Sequence, residues 1–324
     1  MGVKIKRNQK ANCILLGDAF EEFMVEKSAL NKSASTLHNY RQSFGYFKEF
    51  NDLKDDTPIE EIKQSHFYQW VNDMKIEGKK PTTINHYIRD VRAFLYWAMD
   101  EDRGYMPKFK VQEMASQEEM PKMFDLEDIE ILTQKPRIDD CFGDWRNWAI
   151  VSWVMGTGNR AATICEVRLG DISFTKKEII LRHTKNKRIQ VIPLSSSLET
   201  TIKEYIRGWR QGVGSEAYLF PNIGEEQLTT GALRNSFTRY CQKRGAKRHN
   251  IHGLRHNFAA NWIKSGGGEY QLQEILGHSD LAMVRHYVKL FSEDLKKNYD
   301  EYSLLDSIKK KGKRTQKVNR SMDY

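Results

Sequence analysis

HGLRHNFAANWIKSGGGEYQLQEILGHSDLAMVRHYVKL, residues 252–290, gathers four histidines, two arginines and two tyrosines within 39 residues around a glycine-rich turn. Solvated faces usually carry Lys and Glu, and apolar cores rarely hold Arg without a partner. Proton-transfer groups set among cations point to a phosphate. His252 and Arg255 are three apart and share a face if the segment is helical. Arg255 offers a planar fork of donors that can hold two phosphate oxygens together, which Lys cannot do. His278 follows the turn LGH, and Tyr287 lies nine residues beyond it, so both can converge on that face if the turn reverses the chain. A tyrosine is a nucleophile only with help: a pKa of about 10 leaves roughly a thousandth ionised at pH 7, a deficit of about 4 kcal/mol. Nearby cations and a histidine can offset much of that. Taken alone, Tyr287 reads better as an amphipathic packing residue.

Other chemistries fit less well. His252 and His256 are four apart, as two zinc ligands are in HExxH, but Gly253 stands where that motif needs its Glu and no acidic third ligand is near in sequence. No metal is expected. GxSxG, GxGxxG and Walker GxxxxGK[ST] are absent. The cations must therefore meet phosphate as side chains.

The 324 residues are too many for one ordinary core and imply two domains. Lys and Arg outnumber Asp and Glu 52 to 43, a formal charge of +9 that favours polyanion partners without identifying one. The longest apolar run near the N-terminus, CILL, is shorter than the ~7 residues of a signal-peptide core. Lys6 occupies the place where a myristoylation motif wants Ser or Thr. No stretch approaches the ~18 apolar residues of a membrane span. A cytoplasmic protein with no membrane partner is expected. Cys13, Cys141, Cys165 and Cys241 form no CxxC pair and no dense disulfide framework, and isolated thiols usually pack as small buried hydrophobes.

The first hundred residues read as helices. AFEEFMVEKSAL after Asp18 puts Ala19, Phe20, Phe23 and Met24 on one face. Ser35 reads as the N-cap of TLHNYRQSFGYFKEF. A third helix covers SHFYQWVNDMKIEG and stops at Gly78. In the fourth, PTTINHYIRDVRAFLYWAM, a core stripe runs through Ile84, Ile88, Val91, Leu95 and Ala98. Asn85, Arg89, Arg92 and Tyr96 line another face, which can lie along DNA phosphates or a groove. An ordinary solvated face carries the same residues, and on the stripe alone it is the favoured reading. DEDRGYMPKFKVQEMASQEEMPK then loses periodicity, as an interdomain linker does. From about Phe124 a second region holds helices and the β-rich runs KEIILRH and KRIQVIPL, separated by the polar TKN of a hairpin turn. From Asp306 onward seven basic residues face two acidic ones with almost no apolar material, a tail expected to be disordered when free and able to sit on nucleic acid.

GTGNRAATICEVRLGDI and IILRHTKNKRIQVIPL, followed by HGLR, LGH and a tyrosine nine residues later, resemble the tyrosine recombinases of the phage integrase family. The family's motifs run in this order: an Arg after a TG turn, a Lys in a hairpin turn, HxxR, a G-H position and a nucleophilic Tyr. The resemblance implies a mainly α fold with a small β-sheet, an α+β catalytic domain over 123–305 preceded by an all-α SAM-like core-binding domain over 12–105, with a linker over 106–122 and a basic tail over 306–324. It implies that Arg160 and Arg255 grip the scissile phosphate, that Lys185 in HTKNK protonates the leaving 5′ oxygen, with Lys187 its neighbour and competitor, and that His252 assists proton transfer. His278 would hydrogen-bond the phosphate and Tyr287 would attack it, leaving a 3′-phosphotyrosyl link.

The run TxNxxxxxxRxF from Thr83 to Phe94 is similar to the DNA-binding domain of such proteins and marks Thr83, Asn85, Arg89 and Arg92 as DNA-binding residues. One departure stands out: many members carry an acid three positions after the first Arg, where this chain has Thr163, with Glu166 a turn further on. The implied partners are double-stranded DNA at a specific recombination site and three further copies in a tetramer, with accessory DNA-bending proteins as additional candidates and no cofactor. A catalytically idle DNA-binding regulator and a type IB topoisomerase are the rival readings. The intact reactive residues weigh against the first, and the length and LGH-to-Tyr spacing against the second.

Overall fold

The stripe Ile84, Ile88, Val91, Leu95 and Ala98 is completely buried and forms the spine of the first of two units, Met1–Glu119 and Met120–Tyr324. The structure, a computed structural model, describes residues 14–116, 120–182, 189–277, 284–285 and 287–288. The first unit is helical: α1 (Leu16–Ala29), α2 (Ala34–Phe50), α3 (Gln64–Ile76) and α4 (Pro81–Ala98). Pro81 opens α4 because its missing N–H falls among donors that have no helical partner, and its fixed φ suits the first turn. Phe94 on α4 meets Phe20, Phe23 and Phe44 with ring centroids 5.2, 5.5 and 4.7 Å apart, edge to face.

Two helix starts differ from the sequence expectation. The cap of α2 is Ser33, whose hydroxyl accepts from Thr36 N at 3.2 Å, so Ser35 falls inside the first turn. α1 begins before Asp18 because the amides of Leu16 and Gly17 donate to the carbonyls of Thr57 and Asp55, which replace a side-chain cap.

The larger difference lies in the expected linker. Met106 and Val111 are buried in the core of the first unit, and Phe109 and Met114 pack against it. The Tyr96 hydroxyl donates to Val111 O and accepts from Val111 N, at 3.2 and 3.1 Å. Asn85 is only 4% exposed: its Nδ2 donates to Met114 O at 2.9 Å and its Oδ1 accepts from Met114 N at 2.8 Å. This extended strap corrects the expectation that Asn85 presents to DNA, since both ends of its amide are engaged in holding backbone. Arg92 and Arg89 pair with Glu113 of the same strap at 2.7 and 3.6 Å, and Arg89 remains exposed, as does Thr83.

The second unit is built around α6 (Phe142–Thr157), where Ala149, Ile150, Val151 and Trp153 are buried on successive faces. A helix apolar all round must be covered all round. α5 (Leu126–Thr133), α8 (Ser196–Trp209), α9 (Thr230–Arg244) and α10 (Ile251–Lys264) do this, with α7 (Ala161–Glu166) and α11 (Glu269–Leu276) beside them. The expected hairpin is present as β2 (Glu178–Leu181) and β3 (Gln190–Pro193), antiparallel with Ile179 opposite Ile192 and both facing the core. β1 (Ile172–Ser173) adds a third strand on the other side of β2. The turn TKN and the basic tail lie outside the described residues. Cys165 and Cys241 are buried thiols whose pKa burial raises to about 12, whereas Cys141 is exposed and donates to Asp144 at 3.2 Å. Among the described residues no helix is long and apolar enough to cross a membrane.

Replacing Asn85 with Ala takes the partners from the amide and carbonyl of half-buried Met114. Urea unfolding should then show a loss of about 1–3 kcal/mol. DNA affinity measured under conditions where the variant is folded should stay near that of the parent; a large loss of affinity with unchanged stability would return Asn85 to the DNA face.

Candidate active site

The site begins where α6 must stop. Gly158 caps α6 with φ +65°, and a Cβ there would lie 2.5 Å from Phe258 Cδ1 and 2.6 Å from Leu276 Cδ2. Only glycine meets both conditions. Asn159 is buried and accepts from Trp153 Nε1 at 2.9 Å, which fixes the chain as it leaves the turn. Arg160 follows as the cap residue of α7. Its Nη1 donates to Leu276 O at 3.2 Å and to Gly277 O at 3.4 Å.

Arg255 arrives from α10. Asp128 on α5 accepts from the amides of Lys247 and Arg248 at 2.8 and 3.2 Å, and the Asn250 side chain caps α10 by accepting from His252 N at 3.0 Å. Further along, Asn257 exchanges two hydrogen bonds with the backbone of Phe124, at 2.7 and 2.8 Å. α10 so anchored places Arg255, 3% exposed, with Nη1 on Gly158 O at 2.6 Å and Nη2 on Leu276 O at 3.0 Å. Both guanidiniums therefore meet at one carbonyl. Burial, and then the charge of Arg160, lowers the pKa of Arg255 to about 9, still well above neutrality. Burial lowers that of Arg160 as well.

Tyr287 joins them, 2% exposed. Burial raises its pKa, while the charges of Arg255 and Arg160 pull it down, so the phenol is neutral and lies within the field of both cations. Its hydroxyl is 2.6 Å from His256 Nδ1, and the His256 ring meets the His252 ring edge to face at 4.7 Å. Loss of water, then the charges of Arg255, Arg160 and Arg234, lowers the pKa of His252. Of the six expected site residues, Arg160, His252, Arg255 and Tyr287 come together, and Lys185 and His278 lie outside the described residues.

Two residues enter that the motif reading did not name. His256 lies four residues after His252, on nearly the same helix face, and the approach of Tyr287 brings a hydroxyl to its Nδ1. Gln190 on β3 donates to the carbonyls of Glu274 and Ile275, the latter at 2.9 Å. Thr163 is buried in α7 and Glu166 accepts from Gln227 at 2.7 Å, while the Arg160 fork is held by main-chain carbonyls. Among the described residues no group of three or more His, Cys, Asp or Glu side chains could hold a metal ion.

Two guanidinium forks beside a buried phenol and a histidine pair can hold a tetrahedral oxyanion and present a nucleophile to it. That is equipment for covalent phosphoryl transfer. The profile of the phage integrase family matches residues 122–294, and that of the phage integrase N-terminal SAM-like domain matches residues 18–102. The chain belongs to the phage integrase family, the tyrosine recombinases. It is 23% identical to the tyrosine recombinase XerD of Listeria innocua serovar 6a, over 88% of this chain and 97% of that one. It is 27% identical to the tyrosine recombinase XerC of Bacillus subtilis, over 86% and 92%. Among solved structures, a lambda integrase tetramer bound to a Holliday junction has the same fold, with a TM-score of 0.64 at 17% identity over 86% of this chain and 78% of that one.

Gly158→Ala forces a side chain into Phe258 and Leu276 at a left-handed backbone position. Strain and overpacking together should cost roughly 2–5 kcal/mol in thermal or urea unfolding. A loss under about 0.5 kcal/mol, the range of ordinary surface changes, would show that the turn does not need glycine.

Proposed function

We propose that the chain cuts and rejoins DNA strands at a specific site through a 3′-phosphotyrosyl intermediate, as a site-specific recombinase. The observation that carries this reading is the meeting of Arg160 and Arg255 at Leu276 O with buried Tyr287 in the field of both. A guanidinium has five N–H donors, so a fork that holds a carbonyl can also take phosphate oxygens. In the proposed reaction Arg160 and Arg255 bind the non-bridging oxygens of the scissile phosphate and stabilise the charge that builds up in the pentacoordinate transition state.

Tyr287 Oη attacks phosphorus, the bond to the 5′ oxygen breaks, and Lys185 protonates that oxygen as it leaves. His252 assists proton transfer and His278 hydrogen-bonds the phosphate. Rejoining is the same step reversed with a different 5′ hydroxyl. The phosphotyrosyl bond keeps the energy of the broken phosphodiester, so resealing needs neither ATP nor metal.

Exchange between two duplexes requires four cut strands, hence four protomers on DNA, and the tetrameric lambda integrase on a Holliday junction supports that count. The formal charge of +9 supports a DNA partner, with exposed Arg89 and Thr83, Arg92 at the strap, and the basic tail as contributors. Accessory DNA-bending proteins are further proposed partners, and the cytoplasm is the proposed location. The proposed catalytic limits are 123–305, and the core-binding domain, expected over 12–105, extends through the strap to Met114, which packs on its core.

Incubating the chain with a pool of nicked duplexes of random sequence, which trap the intermediate by losing the short fragment, should give a denaturation-resistant adduct without metal or ATP. Tyr287→Phe should bind DNA and give none. Lys185→Ala should cleave about 10² to 10⁴-fold more slowly, and a 5′-bridging sulfur, which leaves without protonation, should restore most of that. No adduct from the parent chain on any DNA would favour the idle regulator, and an adduct that persists in Tyr287→Phe would mean another nucleophile.

A further inference from the structure

Tyr287 must lose a proton in order to attack. Neither arginine near it can take one, since a guanidinium at neutral pH has donors and no acceptor. The resemblance assigns proton transfer to His252, but the geometry sets another ring nearer. The His256 ring lies 4.7 Å from that of His252 and 5.8 Å from that of Tyr287, centroid to centroid, and its Nδ1 is 2.6 Å from the Tyr287 hydroxyl. The rings are thus linked in the order His252, His256, Tyr287.

We propose that His256 is a catalytic residue of the strand-transfer reaction, the base that takes the Tyr287 proton at cleavage and returns it at rejoining. The proposal rests on the recombinase reading. As Tyr287 Oη bonds to phosphorus, its proton passes to His256 Nδ1, giving an imidazolium. The electron pair of the breaking bond goes to the 5′ oxygen, which takes its proton from the general acid. On reversal a 5′ hydroxyl attacks and gives its proton to the deprotonated general acid, the tyrosine oxygen leaves phosphorus, and His256 gives its proton back to it. Charge and protons balance in both directions, and no outside reactant is needed.

Three features of the site agree with this division of labour. α10 is fixed at its start by Asn250 and along its length by Asn257, so His256 is held by a rigid helix rather than by a loop. Burial keeps Tyr287 protonated in the absence of DNA. The charges of Arg160 and Arg255 act on the Tyr287 hydroxyl itself, so a phosphate that they hold lies beside the nucleophile and the ring that takes its proton. His252, one helical turn earlier, is left to serve the phosphate or leaving-group side.

The test uses single-turnover cleavage of a nicked duplex captured by the parent chain. In His256→Asn the side-chain oxygen can still accept a hydrogen bond close to where Nδ1 sits, but it cannot carry the proton away. Cleavage should slow by about 10² to 10⁴-fold while DNA affinity is unchanged. The same substitution is then made in a chain carrying tetrafluorotyrosine at position 287, whose phenol is already ionised at neutral pH. There the penalty should shrink to less than about tenfold, because little proton remains to be removed.

An equal penalty with both nucleophiles would make His256 a packing or positioning group and overturn the proposal. Cleavage by His256→Asn at the parent rate, or faster, would overturn it too, the faster rate marking the contact as a latch. A parent chain that forms no adduct would overturn the recombinase reading and this proposal together. A parent that cleaves beside an unimpaired His256→Asn would overturn the proposal alone.

Discussion

The carbonyl end of α11 is the point on which the site depends. A helix leaves its last four carbonyls without intrahelical donors and carries a partial negative charge there. In α11 each of the four has a partner. Gly277 N, in left-handed conformation, serves Gln273 and Glu274; Gln190 serves Glu274 and Ile275; Arg160 and Arg255 serve Leu276. One helix terminus thus ties together the turn after α6, the second strand of the hairpin and the helix that carries HGLR. Two cations that would repel each other in a buried space are placed by dipoles aimed at them.

That arrangement explains why groups far apart in the chain shift one another's pKa. Arg255 loses basicity to burial and to Arg160, and Tyr287 is pushed up by burial and pulled down by both. A neutral phenol between cations holds back its charge until an anion enters. Gly158 belongs to the same constraint, because its missing side chain lets Phe258 and Leu276 close over the turn that delivers Arg160.

Periodicity and motif spacing made much of this legible in the sequence. The stripe from Ile84 to Ala98 marked α4, the runs around TKN marked β2 and β3, and HGLR marked a helix, because in each the pattern of residue types follows the backbone repeat. The strap over 105–114 carried no such pattern: Met106, Phe109, Val111 and Met114 are single apolar residues in a polar run, and only the groove beside α4 gives them a place. Asn85 and Arg89 share one face by helical period, so the sequence could not tell the residue the strap covers from the one it leaves exposed. Ser33 and Ser35 are equivalent as caps until the hydrogen bond to Thr36 is seen. β1, two residues long, is below the length at which alternation means anything. His256 was hidden for a different reason, since its partner is 31 residues away and reaches it only through the fold.

The central claim is that Arg160, Arg255 and Tyr287 surround a single phosphorus. A crystal structure of the chain with nicked duplex and vanadate, which adopts the five-coordinate geometry of phosphorus under attack, tests it most directly. The account predicts Tyr287 Oη bonded to vanadium at an apical position, with both guanidiniums on equatorial oxygens. Vanadate bound away from the arginines, or held by them with Tyr287 Oη out of bonding reach, would contradict it.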